Sequence, residues 1–169
     1  MISLPGIENQ QGLAGLLSSR RSTKDFDATR PLELEAVSRM LWAAAGSTSP
    51  PHRVSPSARG AYPIVVTLVS GEVNGVEPGC YRYDPLDHAL APGPAGDHRG
   101  AVAAGTLDAS DWLTACPALV LITADLEAAR RRFPEQPADH GERFVWMEAG
   151  HVAQNVYLLA AELGFGTCL

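Results

Sequence analysis

A cluster of cationic and hydroxyl side chains near the amino terminus is the part of this sequence best suited to binding a ligand. Residues 20–24 read Arg-Arg-Ser-Thr-Lys, in a chain whose formal charge is −6. Arginine binds a phosphate through two parallel hydrogen bonds, a serine hydroxyl can bind a third oxygen, and lysine adds a point charge. Alternatively the cluster is a solvated helix end, where cations complement the helix dipole, because Leu13, Leu16 and Leu17 precede it at helical spacing. The residues alone leave both interpretations open.

A second polar set lies on the longest predicted helix, near the carboxyl terminus. This helix is apolar on most sides and is therefore expected to be central. Glu148, His151 and Asn155 occupy positions i, i+3 and i+7, so they share one helix face. A Glu-x-x-His pair could bind one side of a di-metal centre, but such a centre needs a second copy of the pair, and the sequence has none. The alternative is a polar network inside a buried helix or at a subunit interface, in which each group has a partner.

A third segment, residues 56–63, reads Pro-Ser-Ala-Arg-Gly-Ala-Tyr-Pro and leads into an apolar run. Small residues and glycine let a backbone approach a flat ligand closely, and Tyr62 could stack on it or donate a hydrogen bond to it. An ordinary loop entering a strand fits the same residues. The sequence contains no G-x-S-x-G, no P-loop lysine motif and no G-x-G-x-x-G after a strand, which argues against a serine hydrolase and the two standard nucleotide loops.

The hydrophobic pattern predicts one α+β domain over residues 1–169, since helices and buried strands alternate irregularly. β-branched apolar runs indicate buried strands, and a proline followed by helical spacing indicates a helix start. The predicted helices are residues 32–45, a short one from an Asp125 cap to Arg132, and 142–163; the predicted strands are 64–69, its hairpin partner 80–84, and 118–123; residues 47–57 and 84–96 are predicted loops.

Composition narrows the function classes. The chain is 46% hydrophobic and 19% charged, which is typical of a globular protein. Its negative charge argues against nucleic-acid binding, its first residues show no signal-peptide pattern, and its longest apolar run, residues 115–124, is too short to span a membrane. Three widely spaced cysteines, Cys80, Cys116 and Cys168, predict reduced, mostly structural thiols in a cytoplasmic protein.

Taken in order, these segments resemble the flavin-dependent nitroreductase family. The resemblance covers nearly the whole chain. Residues 79–85, with His88 and Leu90, are similar to the SagB-type dehydrogenase branch, which includes the azoline oxidases of thiazole/oxazole-modified peptides. The matching segments are residues 20–26, 41–46, 53–58, 61–63, 148–155 and 163–167.

The resemblance implies a nitroreductase-like fold, with a mostly antiparallel central sheet flanked by helices in an intertwined homodimer. It implies an oxidoreductase whose FMN passes electrons from NADH, NADPH or an organic substrate to an acceptor, so that the flavin carries the chemistry. The substrate would be a small molecule or a modified peptide, with no nucleic acid and no membrane involved. No catalytic base is assigned. The implied cofactor-binding residues are Arg20, Arg21 and Ser22 at the phosphate, Lys24 at the ribityl or pyrimidine side, and Pro56, Ser57 and Ala58 against the flavin from the other subunit.

Two departures from the family pattern qualify these expectations. Arg59 stands where relatives have glycine, so it could crowd the flavin or bind an anionic group. The sequence ends at Leu169, before the segment whose backbone amide faces flavin N5 in relatives, which suggests a truncation or a minimal member. The second departure motivates an alternative function, a non-catalytic flavin-binding or assembly subunit. A metalloprotein using Glu148 and His151 is the third hypothesis.

Overall fold

A computed structural model describes residues 2–6, 11–107, 111–137 and 140–169. The helices are α1 (Leu13–Ser19), α2 (Leu34–Ala45), α3 (Arg99–Ala104), α4 (Trp112–Ala115), α5 (Leu126–Arg132) and α6 (His140–Glu162), and a 3-10 turn spans Ala58–Gly60. The strands are β1 (Leu32–Glu33), β2 (Ser47–Ser49), β3 (His52–Arg53), β4 (Ile64–Ser70), β5 (Val73–Asn74), β6 (Gly79–Asp84), β7 (Ala89–Ala95) and β8 (Ala118–Ala124).

An antiparallel sheet in the order β7-β6-β4-β8 forms the centre of the fold. Strand β4, whose sequence is almost wholly apolar, lies between β6 and β8. Its residues Val66 and Leu68 are buried in the main core. A strand covered on both faces is expected to be apolar almost throughout. The predicted α+β class, the three predicted strands and the pairing of residues 80–84 with β4 are confirmed.

Helices α2 and α6 pack together beside the sheet. Val37 and Leu41 of α2 share the main core with Val145 and Val152 of α6. The side chain of Asn155 joins the two helices, because its Nδ2 donates to the Ala43 carbonyl at 3.1 Å. This hydrogen bond fixes α6 to the end of α2.

Two predicted boundaries before the central sheet are wrong. The helix begins at Leu34, because Leu32 donates its backbone N–H to the Glu72 carbonyl at 2.9 Å and β1 pairs in parallel with β5. Residues 47–57 are not all loop, since β2 and β3 pair as a small antiparallel hairpin. Strands β1, β2 and β3 are only two or three residues long. Strands this short depend on tertiary partners and are too short to show a periodic hydrophobic pattern.

The predicted loop over residues 84–96 is also wrong, because most of it is β7. Pro92 and Pro94 led to the loop prediction, but β7 is one of the two edge strands of this sheet. A proline at an edge can turn its missing N–H position away from the ladder, so it costs no interior hydrogen bond. Helices α3 and α4 were not predicted; both are short.

The carboxyl-terminal helices match their predictions closely. Asp125 accepts a hydrogen bond from the Ala128 backbone N–H at 2.9 Å and so caps α5. Helix α6 was expected to be apolar on most sides and central, yet Trp146 and Met147 are 65% and 60% exposed. One face of α6 therefore lies open on the surface.

The cysteines are free thiols, as predicted, and Cys116 is buried. Burial raises the pKa of the Cys116 thiol, so it stays protonated and unreactive. None of the described helices combines the length and the hydropathy that crossing a membrane would require.

Candidate functional site

The cationic segment after α1 is fixed to the carboxyl-terminal end of the chain. Helix α1 ends where Arg20 donates its backbone N–H to the Leu16 carbonyl at 2.9 Å. Beyond it, Ser22 forms a parallel bridge with Thr167, and the Thr23 N–H donates to the Thr167 carbonyl at 2.9 Å. A Cβ at Gly166 would meet the Thr23 side chain, so glycine is needed for this close approach.

Two side chains of the cluster meet at Tyr157 of α6. The Arg20 guanidinium carbon lies 5.3 Å from the centroid of the Tyr157 ring. The Ser22 Oγ lies 3.3 Å from the Tyr157 hydroxyl. Arg20 is half-buried and Ser22 is exposed, so together they present a cation and a hydroxyl to one position. Sequence reasoning missed Tyr157; its only signal was a phenol on the core helix.

The other two cations of the cluster have different surroundings. The Nη1 of Arg21 donates to the carbonyls of Ser18 and Arg20, at 2.7 Å each. Arg21 therefore stabilises the end of α1, which is the helix-end interpretation of the sequence. The Lys24 Nζ lies 5.5 Å from the centroid of the Trp112 ring. Of the predicted phosphate group, the structure brings together Arg20 and Ser22.

The segment of residues 56–63 forms a tight loop before β4. The Ser57 Oγ accepts a hydrogen bond from the Tyr62 backbone N–H at 2.8 Å. Arg59 and Tyr62 have φ values of 52° and 49°, in the left-handed region that costs energy for residues other than glycine. Pro56 is exposed, whereas Ser57 and Ala58 are half-buried. The loop thus has a strained conformation that its own hydrogen bond supports.

Arg59, the residue that replaces the family's glycine, contacts another part of the same chain. It forms an ion pair with Glu135. Its guanidinium carbon also lies 5.6 Å from the centroid of the Phe133 ring. In this chain the anionic partner of Arg59 is therefore a carboxylate just after α5.

Behind this loop lies a small apolar cavity with one carboxyl group. Its volume is about 170 Å³, and Glu148 lines it together with Ser57 and Phe133. Glu148 is only 4% exposed. Burial raises the pKa of its carboxyl, while the Ser57 hydroxyl and the charge of Arg53 act in the opposite direction.

The three polar residues predicted on one face of α6 have different surroundings. Glu148 is buried, His151 is exposed, and Asn155 donates to the Ser55 Oγ at 3.0 Å as well as to α2. In the part of the chain that the structure describes, no group of three or more His, Cys, Asp or Glu side chains could hold a metal ion. The hydrogen bonds of Asn155 therefore fit the polar-network interpretation. The described residues offer no set of ligands for the metal hypothesis.

Helix α6 separates the cationic cluster from the loop of residues 56–63. Glu148, beside the loop, and Tyr157, beside Arg20, are nine positions apart, which is two and a half turns and roughly 13 Å along the axis. They therefore lie on opposite faces of the helix. One chain does not present both groups to a single small ligand.

The described part of the chain thus combines an antiparallel sheet flanked by helices with a cationic segment beside the core helix. The model of the Nitroreductase family matches residues 17–169, so the chain belongs to the nitroreductase family. Membership makes it an oxidoreductase and points to flavin-dependent oxidoreduction.

Similar proteins agree with this assignment. A protein of Methanocaldococcus jannaschii named as a putative nitroreductase is 36% identical over 167 residues, which are 98% of this chain and 81% of that protein. The crystal structure of a putative nitroreductase from Ralstonia eutropha JMP134 is 32% identical, covers 98% of this chain and 72% of that chain, and superposes with a TM-score of 0.73.

A more distant structure shares the fold alone. A chain of the E. coli microcin synthetase McbBCD complex, solved with truncated pro-MccB17 bound, is 22% identical and has a TM-score of 0.67. The match covers 97% of this chain and 62% of that chain.

Proposed function

We propose that the chain is an FMN-dependent oxidoreductase that acts as a homodimer, with the cofactor between two copies. The observation that carries this proposal is the position of the two candidate binding groups on opposite faces of α6. A flavin that contacts both a cationic cluster and a loop of residues 56–63 must take one from each copy. Two identical copies related by two-fold symmetry would provide two such sites.

The residues beside Tyr157 suit the phosphate of FMN. The guanidinium carbon of Arg20 lies 5.3 Å from the centroid of the Tyr157 ring, and the guanidinium group carries five N–H donors that suit a phosphate. Ser22 adds a hydroxyl on the same side. We assign these two residues to the phosphate as the main contacts. Arg21 and Lys24 add positive charge nearby, with Lys24 toward the ribityl or pyrimidine part.

The loop from the partner copy would lie against the flavin ring. Pro56 is exposed and Ala58 is small, so a flat ring can approach the backbone closely. The Tyr62 N–H to Ser57 Oγ bond holds this surface in place. When bound, FMN would supply the electron transfer; these residues position it and keep water from one of its faces. No side chain of this site is assigned as a catalytic base.

The exposed face of α6 is the surface that we assign to the second copy. Trp146 and Met147 are large, apolar and mostly exposed there. Gly150 lies on the same face, with open space where a Cβ would be. Tyr157 lies about three turns from Trp146 on the same side of the helix. A copy docked on this face would therefore reach the position of Arg20 and Ser22.

We also propose membership of the SagB-type branch, with NADH, NADPH or an organic substrate as electron donor. The similarity of residues 79–85 to that branch supports it. These residues form β6 and the start of the turn that leads to His88. The McbBCD chain, from a complex solved with truncated pro-MccB17 bound, shares the fold. A modified peptide is accordingly one candidate substrate class, beside small molecules.

The proposal is tested by titrating the purified protein with FMN and measuring its mass by light scattering. We expect saturable flavin binding and a dimer. The variant Trp146→Glu should shift the protein toward a monomer and weaken FMN binding in parallel, because each site needs both copies. Leu86→Glu is the matched control, since it adds the same charge at an exposed leucine in the β6–β7 turn.

Two results would contradict the proposal. One is a protein that stays colourless in excess FMN. The other is a monomeric Trp146→Glu variant that binds FMN as tightly as the wild type, because one chain would then contain the whole site.

A further inference from the structure

A second and larger cavity lies on the other side of α2 from the proposed cofactor site. Its volume is about 460 Å³, and its walls include Leu34, Leu41 and Leu90. Ala36 and Met40 occupy the opposite face of α2, where they pack with the end of α6. The cavity is therefore distinct from both groups assigned to the flavin. Its size falls within the range of small-molecule sites, which is about 300–1,000 Å³.

One end of this cavity carries a chain of three hydrogen-bonded side chains. The Ser38 Oγ lies 2.8 Å from Nε2 of His88, and the Tyr83 hydroxyl lies 2.7 Å from Nδ1 of the same ring. His88 has a φ of 47°, in the left-handed region. Asp84 supports this turn, because its carboxylate accepts the backbone N–H groups of Leu86 and Asp87. Both ring nitrogens are thus occupied and the ring is fixed.

The positions of the hydrogens on Tyr83, His88 and Ser38 determine which of these side chains can donate a hydrogen bond into the cavity. Tyr83 is 4% exposed, and burial raises the pKa of its phenol, so it keeps its proton. Within the part of the chain that the structure describes, His88 is the only acceptor seen for that hydroxyl. A buried hydroxyl needs an acceptor, so Tyr83 donates to Nδ1 and the proton of neutral His88 lies on Nε2. Nε2 then donates to the Ser38 Oγ, which leaves the Ser38 hydrogen free to point into the cavity.

We propose that this cavity is a second binding site, for a neutral and mostly apolar small molecule whose carbonyl oxygen accepts a hydrogen bond from Ser38. The apolar walls suit an aromatic or acyl body. The Ser38 hydroxyl, as a free donor at the polar end, favours a ligand with a hydrogen-bond acceptor. A carbonyl oxygen is a neutral group that accepts such a bond and donates none. Glu77 also lines the cavity, and its carboxylate disfavours an anionic ligand such as a carboxylate. This site is independent of the flavin.

Three probes of nearly equal size test the ligand class. Acetophenone carries the carbonyl, ethylbenzene lacks the acceptor, and benzoate replaces it with a charge. Each is titrated into the protein saturated with FMN, or into the protein alone if FMN does not bind, and amide shifts in the NMR spectrum give both affinity and location. We expect acetophenone to bind more tightly than the other two and to shift amides around Ser38, Tyr81 and Leu90.

A pair of serine variants tests the assigned donor. Ser38→Ala should weaken acetophenone binding about 2- to 12-fold, the value of one neutral hydrogen bond, and leave ethylbenzene binding unchanged. Ser18→Ala is the control, because that serine is exposed on α1 and bonds to the backbone of its own helix. The control should change neither affinity.

Several outcomes would overturn the proposal. They are equal affinity for acetophenone and ethylbenzene, tighter binding of benzoate, amide shifts confined to the α6 side of the protein, or an acetophenone affinity that Ser38→Ala does not change. If Ser38→Ala does not fold, the order of the three probes on the wild-type protein decides. None of these results depends on whether the flavin proposal is correct.

Discussion

The two adjacent arginines after α1 should have unequal effects on FMN binding, because they have different surroundings. In Arg20→Ala the guanidinium beside Tyr157 and Ser22 is lost. A hydrogen bond to a charged group contributes about 1.5–3 kcal/mol. If Arg20 gives the phosphate one such bond, the variant should bind FMN about 10- to 150-fold more weakly, since about 1.4 kcal/mol corresponds to a factor of ten.

Arg21→Ala should mainly affect stability. The guanidinium of Arg21 is already bonded to the carbonyls of Ser18 and Arg20 at the end of α1. A cation in that position contributes about 0.3–1 kcal/mol through the helix dipole. We expect a loss of stability of that size. The affinity for FMN should fall less than about 5-fold, because only long-range attraction to the phosphate is removed.

Flavin fluorescence titration gives the affinities, and urea unfolding at fixed protein concentration gives the stabilities. Arg131→Ala is the control, since Arg131 is exposed on α5 and is not part of the proposed site; it removes the same charge from the chain. The salt dependence of FMN binding should flatten in Arg20→Ala and stay the same in the control. Equal losses of affinity in both arginine variants would refute the reasoning, and so would no loss in either.

Two further predictions concern the core helix. Gly141→Ala should destabilise the protein by about 1–3 kcal/mol, because its Cβ would lie 2.5 Å from the Ala129 carbonyl oxygen and force α5 away. Urea unfolding measures this loss, with Gly100→Ala as the control, since a Cβ at Gly100 in α3 would meet open space. Equal stability of the two variants would contradict the close contact at Gly141. Glu148→Gln should gain stability relative to the wild type as pH rises from about 4 to 8. Burial raises the pKa of the Glu148 carboxyl in the folded state, so its contribution is present below the unfolded-state pKa and is lost as pH rises through the raised value. A pH-independent difference between Glu148→Gln and the wild type would contradict this sign.

The sequence predicted the long elements because their signals are local. The β-branched run of β4 predicts a strand, and the Asp125 cap predicts the start of α5, each from a few neighbouring residues. The β7 strand was missed because Pro92 and Pro94 break the local signal, whereas the strand is allowed by its position at the sheet edge. An edge position is a property of the whole sheet, which no short window contains.

The candidate site was predictable only in part, for a similar reason. Residue types and order identified the segments that carry Arg20 and Ser57, but not the directions of their side chains. Tyr157, which brings Arg20 and Ser22 together, lies 135 positions from Ser22. The same limit applies to Ser38 and His88, which are 50 positions apart. Contacts at such separations depend on the tertiary packing.

Helix α6 connects the proposed dimer contact with the loop that would meet the flavin of the other copy. On its inner face Asn155 bonds to the Ser55 Oγ, which in turn donates to the Ala44 carbonyl at 2.8 Å. Ser55 lies two residues before Ser57, so the start of the loop is fixed to the core. On its outer face Tyr157 orients Arg20 and Ser22. Because an α-helix is stiff over nine residues, the position of the phosphate group relative to the loop of the same chain is set by α6. In the proposed dimer, the distance between the two groups that share one flavin would be set by how closely the two copies pack. The face with Trp146 and Gly150 would then be part of the proposed cofactor site.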